Sequence, residues 1–225
     1  MRIVIAGGHG QIGLRLTQAL IERGDAVVSL VRSASQILDV TDLGATVAML
    51  DLEQDDAAEI AHALKDADAV VFAAGAGPGS TIARKDTVDR AGAVLLADAC
   101  EIAGVRRYLL VSSMGVDSVR GGKTPDGADE TFVAYLRAKA AAESDLVARD
   151  TLDLTILRPG RLTDETGTGK VTLAESVERG DVTRDDVAVT IGEILHVPGT
   201  EGKTLELTGG DVRIDDAVYR IANPS

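Results

Sequence analysis

The sequence predicts a doubly wound α/β fold: one parallel sheet with helices on both faces. Two observations carry this prediction. Short runs that are apolar throughout alternate with amphipathic helical stretches over the first two-thirds of the 225 residues, the pattern of strands buried on both faces. The glycines of "IAGGHGQIG" fall between the first such strand and the first such helix, and right-handed crossovers then wind the sheet in both directions.

Each element follows from its own residues. "RIVIAG" reads as a strand and "IGLRLTQALIERG" as a helix closed by Gly24. "AVVSLVR" and "ATVAMLD" are the second and third strands, and "DDAAEIAHALKDA" is a helix. "DAVVFAAG" is the fourth strand, followed by the long helix "TVDRAGAVLLADACEIAG" ending at Gly104. "RRYLLVSS" is the fifth strand, and a polar loop leads to the helix "TFVAYLRAKAAAESDLVAR" and the sixth strand "LDLTILRPG".

Beyond residue 160 the pattern is less regular. "KVTLAES" and "KTLELTGG" read as strands and "RIDDAVYRIAN" as a closing helix. "TRDDVAVTIGEILHV" is a helix with Thr183 or Asp185 as its N-cap, and Asp185 and Asp186 read as helix-start residues. No internal repeat or linker interrupts the chain, so residues 1–225 are expected to form one domain.

Composition excludes several classes of function. Hydrophobic residues are 45% and charged residues 26%, ordinary for a globular domain. Aromatic residues are only 2%, with no Trp, which argues against a base-stacking groove. A net charge of −13 opposes binding to nucleic acid or an anionic membrane. The expected partner is therefore a small molecule. Cys100 stands alone at a helically spaced apolar position, which fits a reduced, buried thiol rather than a disulfide. No basic segment precedes a long apolar run, so a cytoplasmic protein is expected.

The glycine loop can be read in two registers. Gly8, Gly10 and Gly13 make G-x-G-x-x-G, whereas Gly7, Gly10 and Gly13, with Ile12, make G-x-x-G-x-x-G and leave Gly8 at a variable position. Either way the strand–loop–helix context is that of a dinucleotide site. One glycine permits the tight turn, one admits the pyrophosphate, and one lets helix and strand pack. The helix N-terminus offers free N–H groups and a favourable dipole. His9 and Gln11 lie in the same loop, His9 either near a phosphate or facing solvent.

The end of the second strand bears on which dinucleotide is held. NAD sites place an acid there, but here the residues are Arg32 and Ser33. A guanidinium and a hydroxyl suit a 2′-phosphate, so NADP(H) is favoured over NAD(H). Asp51 and Leu52, ending the third strand, are placed either to border an adenine or, for Asp51, to cap a helix. Ala73, Ala74 and Gly75 end the fourth strand, where its backbone would pass the central riboses. Residues 1–160 thus read as a nucleotide-binding core and 161–225 as a small substrate-side extension.

Candidates for chemistry follow. Tyr135 and Lys139 are spaced i, i+4, one turn apart on one helix face. An ammonium there stabilises a phenolate and makes a proton donor and acceptor usable near neutrality. Ser112 and Ser113 tip the fifth strand, where a hydroxyl would hold a carbonyl oxygen beside the tyrosine. The alternative is that Tyr135 packs on the core and Lys139 only binds ribose. His9, His62 and His196 show no metal-ligand spacing, and no metal site is expected.

"GGHGQIG", "LVR", "DLE", "AAG", "VSSMGVD", "YLRAKAAAE", "LDLTILRPGRLTDETGTGKV", "RDDVA" and "LELTGGDVRIDDAV" together resemble the atypical short-chain dehydrogenases/reductases. Within them, the small NAD(P)-binding, NmrA-like and flavin-reductase-like proteins are the most similar group. The resemblance implies a Rossmann fold with nucleotide contacts from Gly7, Gly10, Gly13 and Arg32. It implies reductase-triad positions for Ser113, Tyr135 and Lys139, and puts Arg158, Pro159 and Gly160 near the nicotinamide. The expected function is NADP(H)-dependent hydride transfer to a small carbonyl or related electrophile, by a monomer or small homo-oligomer. Two rivals stand beside it: an NADP(H)-sensing regulator without turnover, and an NAD-dependent sugar-nucleotide epimerase or dehydratase.

Overall fold

The computed structural model describes residues 1–77 and 79–224. Its first half contains β1 (Arg2–Ala6), α1 (Gln11–Arg23), β2 (Ala26–Val31), α2 (Ile37–Thr41), β3 (Thr46–Met49), α3 (Ala57–Ala63) and β4 (Ala69–Phe72). Next come α4 (Ile82–Arg84), a π-helical stretch Lys85–Ala91, α5 (Gly92–Ala103) and β5 (Arg107–Val111). The chain continues through α6 (Glu130–Val147), β6 (Asp153–Pro159), β7 (Arg161–Thr163), β8 (Lys170–Ala174), β9 (Asp181–Thr183) and α7 (Arg184–His196). It closes with β10 (Thr204–Gly209), β11 (Val212–Arg213) and α8 (Ile214–Ala222).

Nine strands form one sheet in the order β11-β8-β10-β6-β5-β4-β1-β2-β3, and β7 and β9 pair separately. All pairs from β3 across to β10 are parallel, whereas β8 and β11 add antiparallel pairs at the far edge. The fold is the expected Rossmann-like α/β domain. From β1 the chain winds outward through β2 and β3, then returns to β4 on the other side of β1. The loops leaving β1 and β4 therefore diverge and open a crevice at the carboxyl edge.

Period-two alternation splits the core between the two faces. Ile3 and Ile5 of β1 join Leu16 and Leu20 of α1 and Ile191 and Ile194 of α7. Val4 and Ala6 join Ile60, Leu96, Cys100 and Leu146 of the opposite helices. Cys100 is fully buried, and burial pushes its thiol up to about 12, so it is a packing residue.

Structure and sequence part company mostly at short elements. β7, β9 and β11 are two or three residues long and have too little pattern to read. The helix expected from Thr87 starts instead at Ile82, capped by Thr81, whose Oγ1 accepts from the Arg84 N–H at 3.2 Å. At α7 the N-cap is Thr183, which accepts from Asp186 N–H at 3.0 Å. Asp185 and Asp186 do more than start that helix: they accept the backbone N–H groups of Gly167, Thr168 and Gly169 and so pin the "GTG" loop. Among the described residues no helix is long and apolar enough to cross a membrane.

Candidate active site

The crevice is a cavity of about 780 Å³ running from the β1–α1 loop to the start of α6. At its floor, glycines are imposed by contact. Gly7 has φ +84°, and a Cβ on it would lie 2.6 Å from the Ala74 nitrogen. A Cβ on Gly13 would fall on the Gly7 carbonyl oxygen, so Gly13 sets the helix–strand approach. Gly8 corrects the expectation of a variable position: a Cβ there would sit 2.5 Å from the buried Ser29 Cβ. Gly7, Gly8 and Gly13 are thus each imposed, whereas a Cβ on Gly10 would meet the Gly7 carbonyl oxygen at 3.1 Å. Neither Gly8 nor Gly13 reaches the cavity wall, whereas Gly7, His9, Gly10, Gln11 and Ile12 do.

Gly10 is the N-cap of α1 and gives the helix no side-chain cap. The first-turn N–H groups therefore face the crevice without a protein oxygen on a cap, as a diphosphate site requires. This cradle fits a dinucleotide. Ala73, Ala74 and Gly75 line the opposite wall.

At the adenosine end, Arg32 lines the cavity with its side chain half exposed, 3.8 Å from Glu53. Glu53 is already committed to Arg84 at 2.7 Å and to the Thr87 hydroxyl at 2.7 Å. Those hydrogen bonds, Arg84 first, hold the Glu53 carboxyl below the usual range. Ser33 is not on the wall; its hydroxyl meets Ser35 at 2.9 Å. His9 pairs with Asp39 at 2.6 Å, which draws its ring towards α2. Asp51 and Leu52 line the cavity; Asp51 Oδ1 accepts the Glu53 N–H at 3.0 Å within a turn, and the N-cap of α3 is Asp56, so Asp51 is not the helix cap of the alternative reading.

At the other end, α6 presents Tyr135 and Lys139 on one face. Lys139 is buried and donates to the Val111 carbonyl at 3.0 Å. Its ammonium is 3.4 Å from Asp89 Oδ1, an ion-pair contact without hydrogen-bond geometry. Asp89 Oδ2 accepts the Ala76 N–H at 3.1 Å. Tyr135 lines the cavity, stacked on Phe132 with centroids 6.0 Å apart and with the Lys139 ammonium 5.9 Å from its ring centroid. It also packs against the small core cluster of Val116, Val119, Val133 and Leu136, so the aromatic body is anchored while the residue borders open space.

The two serines differ. Ser112 borders the cavity, but it is buried and its hydroxyl donates to Glu143 at 2.6 Å, so it is not available as expected. Ser113 lines the cavity with its hydroxyl turned to the Met114 carbonyl at 3.1 Å. Pro159 and Gly160 also line it. Arg158 does not, which corrects its expected place by the nicotinamide. Its guanidinium donates to Glu143 at 2.8 and 2.6 Å and to Asp117 at 2.8 Å. Burial lowers the Arg158 guanidinium's affinity for its proton, yet Glu143 and Asp117 outweigh this and keep it firmly charged.

Several residues on the wall were not anticipated. Arg84, Lys85 and Asp89 arrive because the helix begins early and passes through a π-helical stretch, a device frequent at functional sites. Gln36, Glu53 and Phe132 complete the rim. The signals available were the Thr81 cap and the i, i+4 spacing of Lys85 and Asp89, which matches that of Tyr135 and Lys139 across the crevice.

A model of the NAD(P)H-binding family matches residues 7–198. The chain belongs to that family. This NAD(P)H-binding protein is 34% identical to an uncharacterised Bacillus subtilis (strain 168) protein named as a sugar epimerase, over 98% of the chain and 100% of the relative. It superposes on a candidate NAD-dependent epimerase/dehydratase from Bacillus halodurans with a TM-score of 0.88 and 35% identity, covering 98% and 99% of the two chains. An anaerobillin reductase from Escherichia coli O157:H7 gives a TM-score of 0.79 and 27% identity, covering 95% of this chain and 99% of that one. The NAD(P)H-binding chain therefore has an oxidoreductase- or epimerase-like fold, consistent with the resemblance to atypical short-chain dehydrogenases/reductases, and its family indicates a nicotinamide cofactor.

Proposed function

We propose that this protein is an NADP(H)-dependent reductase of a small carbonyl compound or related electrophile. The observation that carries the reading is Tyr135 on the cavity wall, anchored by Phe132 and one helical turn from the buried Lys139. The α1 N-terminus and Gly7, Gly10 and Ile12 would hold the diphosphate. Arg32, whose guanidinium is half exposed, would meet a 2′-phosphate. Lys139 and the β4 end would hold the ribose beside the nicotinamide, and Pro159 and Gly160 would back its ring.

When bound, the cofactor supplies hydride. Tyr135 gives a proton to the substrate oxygen, and Ser113, once its hydroxyl turns from Met114, donates a hydrogen bond to that oxygen. Lys139 supplies positive charge beside Tyr135 while Val111 and Asp89 fix its position. Ser112 and Arg158 take no part in proton transfer; they brace the β5 and β6 ends through Glu143.

The names of the Bacillus relatives favour a second reading, a nucleotide-sugar epimerase or dehydratase retaining NAD(H). NADPH and NADH titrations on wild type and Arg32→Asp separate the two. The reductase reading expects NADPH to bind the wild type more tightly and the preference to reverse in the variant. Tighter wild-type binding of NADH removes the 2′-phosphate argument. With an identified carbonyl substrate, full turnover by Tyr135→Phe removes the tyrosine role.

A further inference from the structure

The cavity holds a cation that the proposed chemistry does not use. Lys85 opens the π-helical stretch and is 8% exposed. Its ammonium donates to the Gly77 carbonyl at 2.8 Å and lies 5.5 Å from the Tyr135 ring centroid.

The other lining cations each have a carboxylate. Arg32 and Arg84 share Glu53, Lys139 has Asp89, and Arg184 has Asp164 at 2.8 Å. Among the described residues, no carboxylate lies within 4.0 Å of the Lys85 ammonium. The acids on the wall have partners of their own: Glu53 has Arg84, Asp89 has Lys139, Asp51 accepts the Glu53 N–H, and Asp129 accepts the Phe132 N–H at 2.9 Å in the first turn of α6. A buried ammonium without a counter-charge is costly, and in a chain of net charge −13 it is a local focus of positive potential.

Position gives this cation a task. Lys85 and Asp89 face Tyr135 and Lys139 at matching turns, so Lys139 lies at the deep end and Lys85 beside the tyrosine. On the outer side of Tyr135, Phe132 is 49% exposed and lines the same cavity. An ammonium next to an exposed aromatic face is a receptor for a flat body that carries an anion.

We infer that Lys85 is the substrate-anion site: the electrophile reduced here carries a carboxylate, which Lys85 binds while Phe132 and Tyr135 receive its planar body. This deepens the reductase reading and rests on it only for the word electrophile. The ammonium–carboxylate contact is a charge-assisted hydrogen bond on the cavity wall, which sets the size of the expected preference at about ten- to a hundredfold.

The test uses protein saturated with NADP+, which has no hydride to give an aldehyde, and two probes: 4-carboxybenzaldehyde and its methyl ester. Calorimetry on the wild type is expected to show the carboxylate binding at least ~10-fold more tightly than the ester. In Lys85→Gln the two probes should bind alike, and Lys85→Arg should keep most of the preference. Melting curves check that both variants fold. Equal binding, or no binding, of the two probes by the wild type overturns the assignment. So does a preference that survives in Lys85→Gln, which would make Lys85 only the pin of the Gly77 loop. A Lys85→Gln defect confined to NADP+ binding overturns it as well. If the wild type prefers the carboxylate but oxidises no NADPH with any aldehyde, the reductase reading fails and the anion site stands.

Discussion

Glu143→Ala tests the division between bracing and chemistry in this crevice. Glu143 is 1% exposed and accepts from three side chains: Ser112 at 2.6 Å, Arg120 at 2.6 Å and Arg158 at 2.8 and 2.6 Å. Removing it leaves the buried Arg158 guanidinium with Asp117 alone, whose side chain is 62% exposed and already shared with Arg120. Breaking a buried pair by deleting one partner costs about 3–5 kcal/mol, because the remaining charge stays out of water. For a domain of this size each kcal/mol is worth about 2–4 °C, so the melting temperature should fall by ~6–20 °C. The companion Arg158→Met leaves the buried Glu143 carboxylate with Ser112 and Arg120, so it too should lower the melting temperature, but it should keep NAD(P)H affinity within about twofold, or ~0.4 kcal/mol. Thermal melts and cofactor titrations on both variants are the assay. A Glu143→Ala protein that melts with the wild type, or an Arg158→Met protein that loses cofactor binding, would refute the assignment of Arg158 to structure.

Three further outcomes follow from the same geometry. Gly8→Ala should destabilise by about 1–3 kcal/mol, because its methyl meets the buried Ser29 Cβ; urea unfolding should also show the cost reduced on a Ser29→Gly background. Acid should weaken the fold through Glu53 and Asp117. Hydrogen bonds from Arg84 and Thr87 hold Glu53 low; at Asp117 burial raises the carboxyl, but Arg120 and Arg158 outweigh it. Both groups are held below their unfolded values, so their contribution is present above about pH 4–5 and is lost as pH falls through the folded values. A melting temperature that rises between pH 5 and pH 3 would contradict this. Cys100 should resist a thiol reagent in the native state at pH 8 and react on unfolding, since burial holds it as the thiol.

The fold was legible because its signals are local. Ile3 and Ile5 against Val4 and Ala6 state a strand buried on both faces, and the glycine loop states where that strand ends. Gly8 was misread because its constraint comes from Ser29 across the sheet, which no local pattern contains. Arg158 was misplaced although alternation along β6 was available: Leu154 and Ile156 join the core under α5 and α6, Leu157 joins the opposite face, and Arg158 follows the former. Its partner Glu143 sits four residues after Lys139, on the face already singled out for Tyr135 and Lys139. Lys85 and Arg84 escaped because "TIARK" has no apolar period of its own. A cap at Thr81 and a π-helical stretch position them.

A crystal structure with NADP+ bound tests the central claim most directly. The account expects the diphosphate on the α1 N-terminus, the 2′-phosphate on Arg32, and Lys139 within about 3 Å of a ribose hydroxyl. It expects the exposed nicotinamide face to look into open space bordered by Ser113, Tyr135 and Lys85. A nicotinamide lying away from Tyr135, or one whose open face is filled by protein side chains, would contradict it.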